Sequence, residues 1–338
     1  MTITNLQCRL AQRPAPGLPD PSIWSFTEET VADEAPDGQV TVEVLYCSLD
    51  PAMRTWLNAG RSYVPPVGLG EVMRATGIGR VLTSGAEGFS PGDIVSGLFG
   101  IQAYAVLPAS QPRQLDAAGL PLPVHLGALG ISGLTAYFGL LDIGKAKQGE
   151  TVVVSAAAGS VGSVAAQIAK AIGCRVVGIA GGAEKCRLLV DELGLDAAVD
   201  YKADGLNDAL KAACPTGIDV YFDNVGGAVL NAVLRNLATG ARIVISGAVS
   251  QYNATDAGIG PTNYMNLLVA RASMTGFVIF DYEDRYAEGR AQLAKWIEAR
   301  KISPRTHLVK GIANFPAALN QLFAGENTGK FVLEVAEP

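Results

Sequence analysis

Histidine and cysteine are scarce in this chain of 338 residues, and their placement excludes several kinds of metal and redox site. The two histidines, His125 and His307, lie far apart in sequence, so a site with several histidine ligands cannot be assembled. None of the five cysteines is paired at C-x-x-C spacing, which argues against a zinc ribbon or a redox dithiol. A sparse, odd set of cysteines behind a polar N-terminus without a recognisable secretory signal predicts reduced thiols and a cytoplasmic protein.

Basic runs and long hydrophobic segments are also missing. Lys and Arg number 26 against 32 Asp and Glu, a formal net charge of −6, so neither a nucleic-acid nor a membrane partner is expected. Hydrophobic residues make up 49% of the chain, yet no segment approaches the ~20 uncharged apolar residues of a membrane span. The apolar residues are therefore expected in buried strands and helices, and the length predicts two domains.

The first part of the chain, residues 1–126, is predicted to be rich in β-strands. Apolar runs at 40–46, 77–82 and 93–98 are interrupted by Gly and Pro, which predicts a small antiparallel barrel or sandwich. Four prolines within 108–123 indicate a connector. The last strand, 330–335, is predicted to return to this domain, which would then also include 303–338.

Residues 127–302 alternate strands with helices. The continuous β-branched run at 151–155 predicts a strand buried on both faces, and apolar residues then recur at helical spacing up to Gly173. Further strands are predicted at 175–180, 197–200, 218–222, 241–246 and 274–279. This alternation predicts parallel strands with right-handed crossovers. The fold class is therefore α/β, a doubly wound parallel Rossmann sheet plus a β-rich, barrel-like domain.

A glycine-rich turn follows the strand at 151–155. Ala157, Gly159 and Gly162 occupy the three glycine positions of G-x-G-x-x-G, and the turn opens a helix, which is the context of a dinucleotide-binding loop. Gly159 would let a pyrophosphate approach the backbone, Gly162 would let the helix pack closely on the strand, and the helix N-terminus would offer N–H donors. The alternative is a glycine-rich turn that binds no nucleotide.

The end of the second strand indicates which nicotinamide cofactor is used. NAD enzymes usually hold the ribose 2′-hydroxyl with an acid about 20 residues beyond the glycines, and residues 180–182 contain none. Lys185 and Tyr201 follow, and a cation with a hydroxyl suits a 2′-phosphate. The expected cofactor is therefore NADP(H). The alternative is that Lys185, beside Glu184, only solvates the start of a helix.

Several segments, in order and at the right separations, resemble one family. They are residues 49–54, 62–66, 70–74, 130–137, 156–162, 221–227, 246–253, 276–281 and 327–330. Through them nearly the whole chain resembles the zinc-independent medium-chain dehydrogenases/reductases, in the branch of leukotriene B4 12-hydroxydehydrogenase, prostaglandin reductase and plant double-bond reductases. The resemblance implies a GroES-like catalytic domain, a cytoplasmic homodimer, and NADPH-dependent reduction of the C=C bond of small-molecule enones and enals.

The resemblance also implies a set of site residues. The pyrophosphate would be held by Gly159, Ser160, Val161 and Gly162, and the 2′-phosphate by Lys185 and Tyr201. Asn224 would lie at the carboxyl edge of the sheet, and Asn327 would cap the cofactor from the other domain. The nicotinamide half would be lined by Ser246, Gly247, Ala248, Tyr252, Phe277, Val278 and Ile279, and the substrate pocket by Ala52, Tyr63 and Met73.

One residue departs from the family pattern. The family commonly has tyrosine where this chain has Ala52, with the ring facing the substrate. Two interpretations of Ala52 remain. Either the substrate pocket is wider at this position, or the substitution is inert because Tyr63 or another aromatic residue compensates for it.

The zinc-dependent relatives offer a competing interpretation. Their catalytic metal needs a Cys, a Gly-His-Glu segment and a later Cys or acid. Cys47 fits the first position, but Gly70-Glu71 is followed by no histidine. Cys47 is therefore expected to be a small apolar neighbour, and no metal is expected.

Reduction of an enone without a metal requires hydride transfer to the β-carbon and stabilisation of the enolate oxygen that results. The candidate donors are a ribose hydroxyl of the cofactor and the phenol of Tyr252, unless the phenol only packs on the nicotinamide. Two further alternatives are quinone reduction on the same scaffold and a non-catalytic NADPH-binding sensor.

Overall fold

The computed structural model describes residues 2–32, 34–60, 62–255 and 260–337. Contacts between Cα atoms divide the chain into two compact units. The first comprises Met1–Leu126, Thr306–Glu326 and Lys330–Pro338, and the second comprises Gly127–Arg305 and Asn327–Gly329.

The first unit begins with seven strands and one short α-helix among the described residues. They are β1 (Thr2–Leu10), β2 (Trp24–Ala32), β3 (Gln39–Ser48), α1 (Met53–Trp56), β4 (Thr76–Ser84), β5 (Ile94–Leu98), β6 (Tyr104–Pro108) and β7 (Arg113–Gln114), with 3-10 turns at Pro21–Ile23 and Leu122–His125.

The second unit alternates strands and helices. Its elements are α2 (Ile131–Phe138), β8 (Thr151–Ser155), α3 (Ser160–Ala171), β9 (Arg175–Ala180), α4 (Ala183–Arg187), β10 (Ala197–Asp200), α5 (Leu206–Ala213), β11 (Ile218–Asp223), α6 (Gly227–Leu234), β12 (Leu237–Ile245), α7 (Val249–Tyr252), α8 (Met265–Ala270), β13 (Ser273–Gly276) and α9 (Tyr286–Glu298). π-helical turns at Gly139–Ile143 and Leu188–Glu192 extend α2 and α4, and a 3-10 segment, Ile279–Arg285, precedes α9.

The chain then returns to the first unit. It forms β14 (Thr306–Lys310), a 3-10 turn (Ile312–Asn314), α10 (Phe315–Ala324) and β15 (Lys330–Glu334). Strand β15 pairs antiparallel with β3 and parallel with β14.

The first unit is built around β3. Its sheet runs in the order β14-β15-β3-β4-β5-β7, and β6 also pairs with β3, while β1 and β2 form a separate hairpin. Eight of the ten residues of β3 are buried because strands flank it on both edges and the core covers it. Trp24 and Phe315 meet edge to face at 5.0 Å within that core.

The second unit carries a six-stranded sheet in the order β10-β9-β8-β11-β12-β13. Every pairing in it is parallel. Strand β8, whose sequence is Thr-Val-Val-Val-Ser, lies near the middle and is buried along its whole length. The predicted doubly wound sheet is confirmed. Its last strand ends at Gly276 rather than at 279, because Ile279 already begins a 3-10 helix.

Two short segments make their contacts with the second unit, although the sequence analysis placed them in the β-rich domain. Ser303 N donates to Gln167 Oε1 at 2.7 Å, and Gly329 N donates to Ala158 O at 2.7 Å. Asn327–Gly329 therefore group with the six-stranded parallel sheet, and Asn327 belongs to the same unit as the glycine-rich turn rather than to the other domain as expected. Among the described residues, none of the helices is long and apolar enough to cross a membrane.

Candidate functional site

The glycine-rich turn joins β8 to α3. Ala156 adopts a left-handed conformation, with φ of 48°, and its carbonyl accepts a hydrogen bond from Gly159 N at 2.9 Å. A Cβ at Gly162 would lie 2.2 Å from Ala156 O. The start of the helix can therefore pack this closely on the end of the strand only because Gly162 has no side chain.

The same turn offers an open space lined with donors. Gly159 has an extended conformation that any residue adopts, and only Ala156 O, at 3.2 Å, would lie near a Cβ there. The hydroxyl of Ser160 is buried and has no hydrogen-bond partner among the described residues. The first N–H groups of α3, which begins at Ser160, have no partner within the helix. An anion in this space would satisfy both kinds of donor.

The turn at 327–329 borders the glycine loop. Gly329 N donates to Ala158 O, and Gly329 also forms a parallel bridge with Gly159. Asn327 is 6% exposed, and its side-chain amide donates to Gly329 O at 3.0 Å. Asn327 is thus held beside the glycine loop by its own turn.

Two lysines and a tyrosine come together at the ends of β9 and β10. Lys185 Nζ donates to Asn327 O at 2.6 Å, which places the lysine beside the 327–329 turn. A Cβ at Gly181 would lie 2.9 Å from both Tyr201 Cε1 and Lys202 Cε, so these two side chains cover Gly181. Burial lowers the pKa of Lys185, and the positive charge of Lys202 lowers it further. A dianion here would relieve that repulsion.

Lys202 is not among the residues predicted from the sequence, although it directly follows Tyr201 at the same strand end. Asp200 was not predicted either. The spacing rule expects an acid after the second strand of the sheet, whereas Asp200 ends the third strand. Asp200 Oδ1 accepts hydrogen bonds from Gly182 N at 2.8 Å and Lys202 N at 2.9 Å. These two bonds lower the pKa of Asp200, so its carboxylate is occupied in shaping the turn.

Asn224, Gly247 and Tyr252 lie together at the carboxyl ends of β11 and β12. Asn224 Nδ2 donates to Ser155 O at 2.8 Å. A Cβ at Gly247 would lie 3.1 Å from Tyr252 Oη and 3.5 Å from Asn224 O. Ala248 N donates to Tyr252 Oη at 3.2 Å, and because the phenol is the acceptor in this bond, its own hydrogen remains available for donation.

The segment 277–279 packs onto the second unit. The Phe277 ring lies against Gly139, where a Cβ would be 2.7 Å away, and meets Tyr282 edge to face at 6.3 Å. Ile279 is buried, and its carbonyl accepts a hydrogen bond from Tyr286 Oη at 3.1 Å. Val278, between them, is partly exposed.

The three predicted substrate residues differ in their surroundings. Met73 is 0% exposed and belongs to the core of the first unit, where its backbone bonds to Cys8 and Ile101. Its side chain therefore packs in that core, and its place in a substrate pocket stays a prediction. Ala52, which precedes α1, is partly exposed, and Tyr63 is 54% exposed.

Cys47 lies in a setting unlike that of a metal ligand. Its thiol is fully buried and contacts Gly100 O at 3.3 Å, and burial raises its pKa to about 12. His125 Nε2 hydrogen-bonds with Ala117 O, and His307 packs on Phe331 at 4.6 Å. Within residues 2–32, 34–60, 62–255 and 260–337, no group of three or more His, Cys, Asp or Glu could hold a metal ion.

Comparison with known proteins gives matches over nearly the whole chain. Residues 7–115 match a family described as the N-terminal domain of oxidoreductase, and residues 160–298 match the zinc-binding dehydrogenases. The NADPH-dependent curcumin reductase of Escherichia coli is 42% identical, covering 97% of this chain and 96% of that protein. The 2-alkenal reductase (NADP(+)-dependent) of Nicotiana tabacum is 38% identical, covering 95% and 94%. The chain belongs to the zinc-independent double-bond reductase branch of the medium-chain dehydrogenases/reductases.

A solved structure of the same kind carries a nucleotide. CurA from Vibrio vulnificus, in complex with NADPH, matches with a TM-score of 0.92 and 42% identity, covering 98% of this chain and 100% of that one. The family resemblance and the fold class predicted from the sequence are confirmed. In this reductase chain the unpartnered Ser160 hydroxyl, the open space at Gly159 and the Lys185–Lys202 pair all fit a phosphorylated dinucleotide.

Proposed function

We propose that this protein reduces the C=C bond of α,β-unsaturated ketones and aldehydes with NADPH. The observation that carries the choice of cofactor is the cluster of cations at this strand end: Tyr201 and Lys202 cover Gly181, and Lys185 Nζ, bonded to Asn327 O, lies close enough for the charge of Lys202 to lower its pKa. This cationic cluster suits a 2′-phosphate, and the same unit carries a partly exposed phenol, Tyr252, at the carboxyl edge of its sheet. Relatives named for curcumin and 2-alkenal reduction support the same substrate class.

The residues of the second unit divide the binding of NADP(H) among them. The α3 N-terminus and the Ser160 hydroxyl would hold the pyrophosphate, because both offer donors without partners among the described residues. Lys185, Lys202 and Tyr201 would hold the 2′-phosphate. Asn224, Gly247 and Tyr252, with residues 277–279, would border the nicotinamide half. When bound, NADPH supplies the hydride that the reaction requires.

Tyr252 would act on the substrate oxygen. Ala248 N donates to its hydroxyl, which draws electron density from the oxygen and strengthens the phenol as a donor. A hydrogen bond from Tyr252 to the substrate carbonyl strengthens as negative charge develops there, and so favours the enolate over the ground state.

The test is a panel of enones, 2-alkenals and quinones assayed with NADPH and with NADH. We expect NADPH-dependent loss of the alkene absorbance and a saturated ketone or aldehyde as product. Turnover of quinones alone would assign the protein to quinone reduction, and tight NADPH binding without turnover of any substrate would make it a sensor. Either result would overturn the proposal.

We also propose that the protein is a cytoplasmic homodimer. Strand β13 is the last in the order of its sheet, so one of its edges has no partner strand among the described residues. Nearby, α8 exposes Leu268 (68%) and Val269 (73%), an apolar face of the kind that is usually covered by a partner. Light scattering coupled to gel filtration should give twice the chain mass for the wild type, and Leu268→Glu should shift it towards the monomer. A wild-type monomer at micromolar concentration would contradict the proposal.

A further inference from the structure

A buried carboxylate, Asp223, lies next to Asn224 and Gly247, which are proposed to border the nicotinamide. It ends β11 and is 1% exposed. Its Oδ1 accepts hydrogen bonds from Tyr221 Oη at 2.8 Å and from the backbone N–H groups of Val225 and Gly226, both at 2.9 Å. One oxygen therefore closes the turn that follows the strand.

Ser155 ties this turn to the neighbouring strand β8. Its hydroxyl lies 3.2 Å from Asp223 Oδ1, to which it donates, and accepts from Asn224 N at 2.9 Å. Asn224 Nδ2 in turn donates to Ser155 O. The backbone and side chain of Asn224 are thus fixed against the strand that leads into the glycine loop.

The segment that carries Tyr252 is built on the same turn. Asp223 O accepts hydrogen bonds from Ser246 N at 2.9 Å and Gly247 N at 3.1 Å. Asn224 O accepts from Val249 N at 3.1 Å. Any shift of the 223–226 turn would therefore move Gly247 and the α7 residues that follow it.

Burying the Asp223 carboxylate at this position costs folding free energy. The second oxygen, Oδ2, is buried without a partner among the described residues, and burial raises the pKa of Asp223. Stability alone does not account for such a group, because a buried charge is expensive and an apolar side chain of similar size would avoid the cost. What an apolar side chain could not do is accept the converging N–H and O–H groups of the turn.

We propose that Asp223, together with Ser155, is a positioning residue that sets the nicotinamide-binding edge formed by Asn224, Gly247 and Tyr252. It acts through the turn and does not itself touch the cofactor. The proposal rests on the proposed function in taking this edge as the nicotinamide site. Asp223 is therefore expected to affect the binding of the nicotinamide half and not that of the 2′-phosphate half, whose residues lie at the ends of β9 and β10.

The experiment compares two probes on the full-length Asp223→Ala variant. Adenosine 2′,5′-bisphosphate reports the adenosine half, and the fluorescence of bound NADPH reports the nicotinamide half. We expect the affinity for the bisphosphate to change by less than about twofold, because its 2′-phosphate would bind at the ends of β9 and β10 and its 5′-phosphate at the α3 N-terminus, and neither place bonds to the Asp223 carboxylate. The fluorescence change on NADPH binding should be largely lost, and single-turnover hydride transfer should slow by roughly 10- to 100-fold.

Asp219 provides the matched control. It lies on the same strand at the opposite end, and its carboxylate likewise accepts a backbone N–H, that of Thr151, at 2.8 Å. Asp219→Ala should leave both probes at wild-type values. An equal effect of Asp219→Ala and Asp223→Ala on NADPH fluorescence would overturn the proposal, because the effect would then be a general loss of strand stability.

Two milder variants keep the proposal testable if Asp223→Ala does not fold. Ser155→Ala should reduce the NADPH signal without changing bisphosphate affinity, since Asn224 N loses its acceptor. Asp223→Asn keeps an acceptor oxygen and should recover most of the signal. Wild-type signals in Ser155→Ala, or loss of bisphosphate and NADPH signals in parallel, would contradict a positioning role. Because the fluorescence measurement needs no substrate, a failure of enone reduction in the wild type is distinguishable from a failure here.

Discussion

Replacing Lys185 with alanine should weaken NADPH binding while leaving the use of NADH nearly unchanged. NADPH differs from NADH by the 2′-phosphate, and Lys185 is the partly buried cation whose pKa is lowered by burial and by Lys202. Its ammonium has three hydrogens, so it can keep its bond to Asn327 O and still donate to a phosphate.

The size of the effect follows from the surroundings of Lys185. A hydrogen bond to a charged group contributes about 1.5–3 kcal/mol, and about 1.4 kcal/mol corresponds to a tenfold change in affinity. Because Lys185 is partly exposed, solvent screens the interaction and the lower half of that range applies. The KM for NADPH should therefore rise by roughly 10- to 40-fold. The double variant with Lys202→Ala should lose more than either single variant, since Lys202 still faces the phosphate when Lys185 is gone.

The assay is steady-state kinetics with each cofactor over a range of salt concentration. Lys185→Met keeps the aliphatic stem and should behave like the alanine variant, whereas Lys185→Arg should recover part of the affinity. Lys211→Ala, which removes an exposed lysine from α5, should change nothing. High salt should weaken NADPH binding more than NADH binding in the wild type. A wild type that prefers NADH, or equal losses for both cofactors in Lys185→Ala, would refute the assignment of Lys185 to the 2′-phosphate.

Four further predictions concern the rest of the site. Tyr252→Phe should lower enone turnover by roughly 10- to 1,000-fold with little change in NADPH affinity; unchanged turnover would make Tyr252 a packing residue. Ala52→Tyr should narrow the substrate range, with bulky enones losing more activity than short alkenals, and equal losses would remove Ala52 from the pocket. Gly162→Ala should destabilise the fold by about 1–3 kcal/mol, measured as a lower Tm, because its Cβ would meet Ala156 O, whereas Gly159→Ala should keep the Tm and weaken NADPH binding. Activity should survive exhaustive chelation with no zinc found by elemental analysis, and a stoichiometric zinc whose removal abolishes activity would contradict this.

The nucleotide-binding sheet was largely predictable because its signals are local. A continuous β-branched run such as β8 is typical of a strand buried on both faces. A glycine-rich turn between a strand and a helix is typical of a dinucleotide-binding loop. The choice of NADP(H) from the missing acid at 180–182 was equally local, and the comparisons confirm it. In contrast, β2 was not predicted, because five of its nine residues are polar and five are exposed, and its strand conformation depends on pairing with β1.

The substrate residues show a different limit. Met73 lies in a segment that resembles the family, but a sequence motif does not say on which side of the backbone a side chain lies. Burial in the core of the first unit decided that Met73 packs inside. Ala52 is partly exposed and Tyr63 is 54% exposed, which the motif did not indicate either.

The sequence by itself determined the fold class, the position of the phosphate-binding turn and the kind of cofactor, because each depends on residues close together in the chain. The tertiary structure alone decided which distant side chains share a site. Lys185, Lys202 and Asn327 converge only because parallel strands end at one edge and the C-terminal turn packs onto the glycine loop. Ser155 and Asp223 lie on different strands, and pairing of β8 with β11 brings them within a hydrogen bond. Periodicity and spacing predict elements, whereas the contacts between elements depend on how the sheet orders its strands.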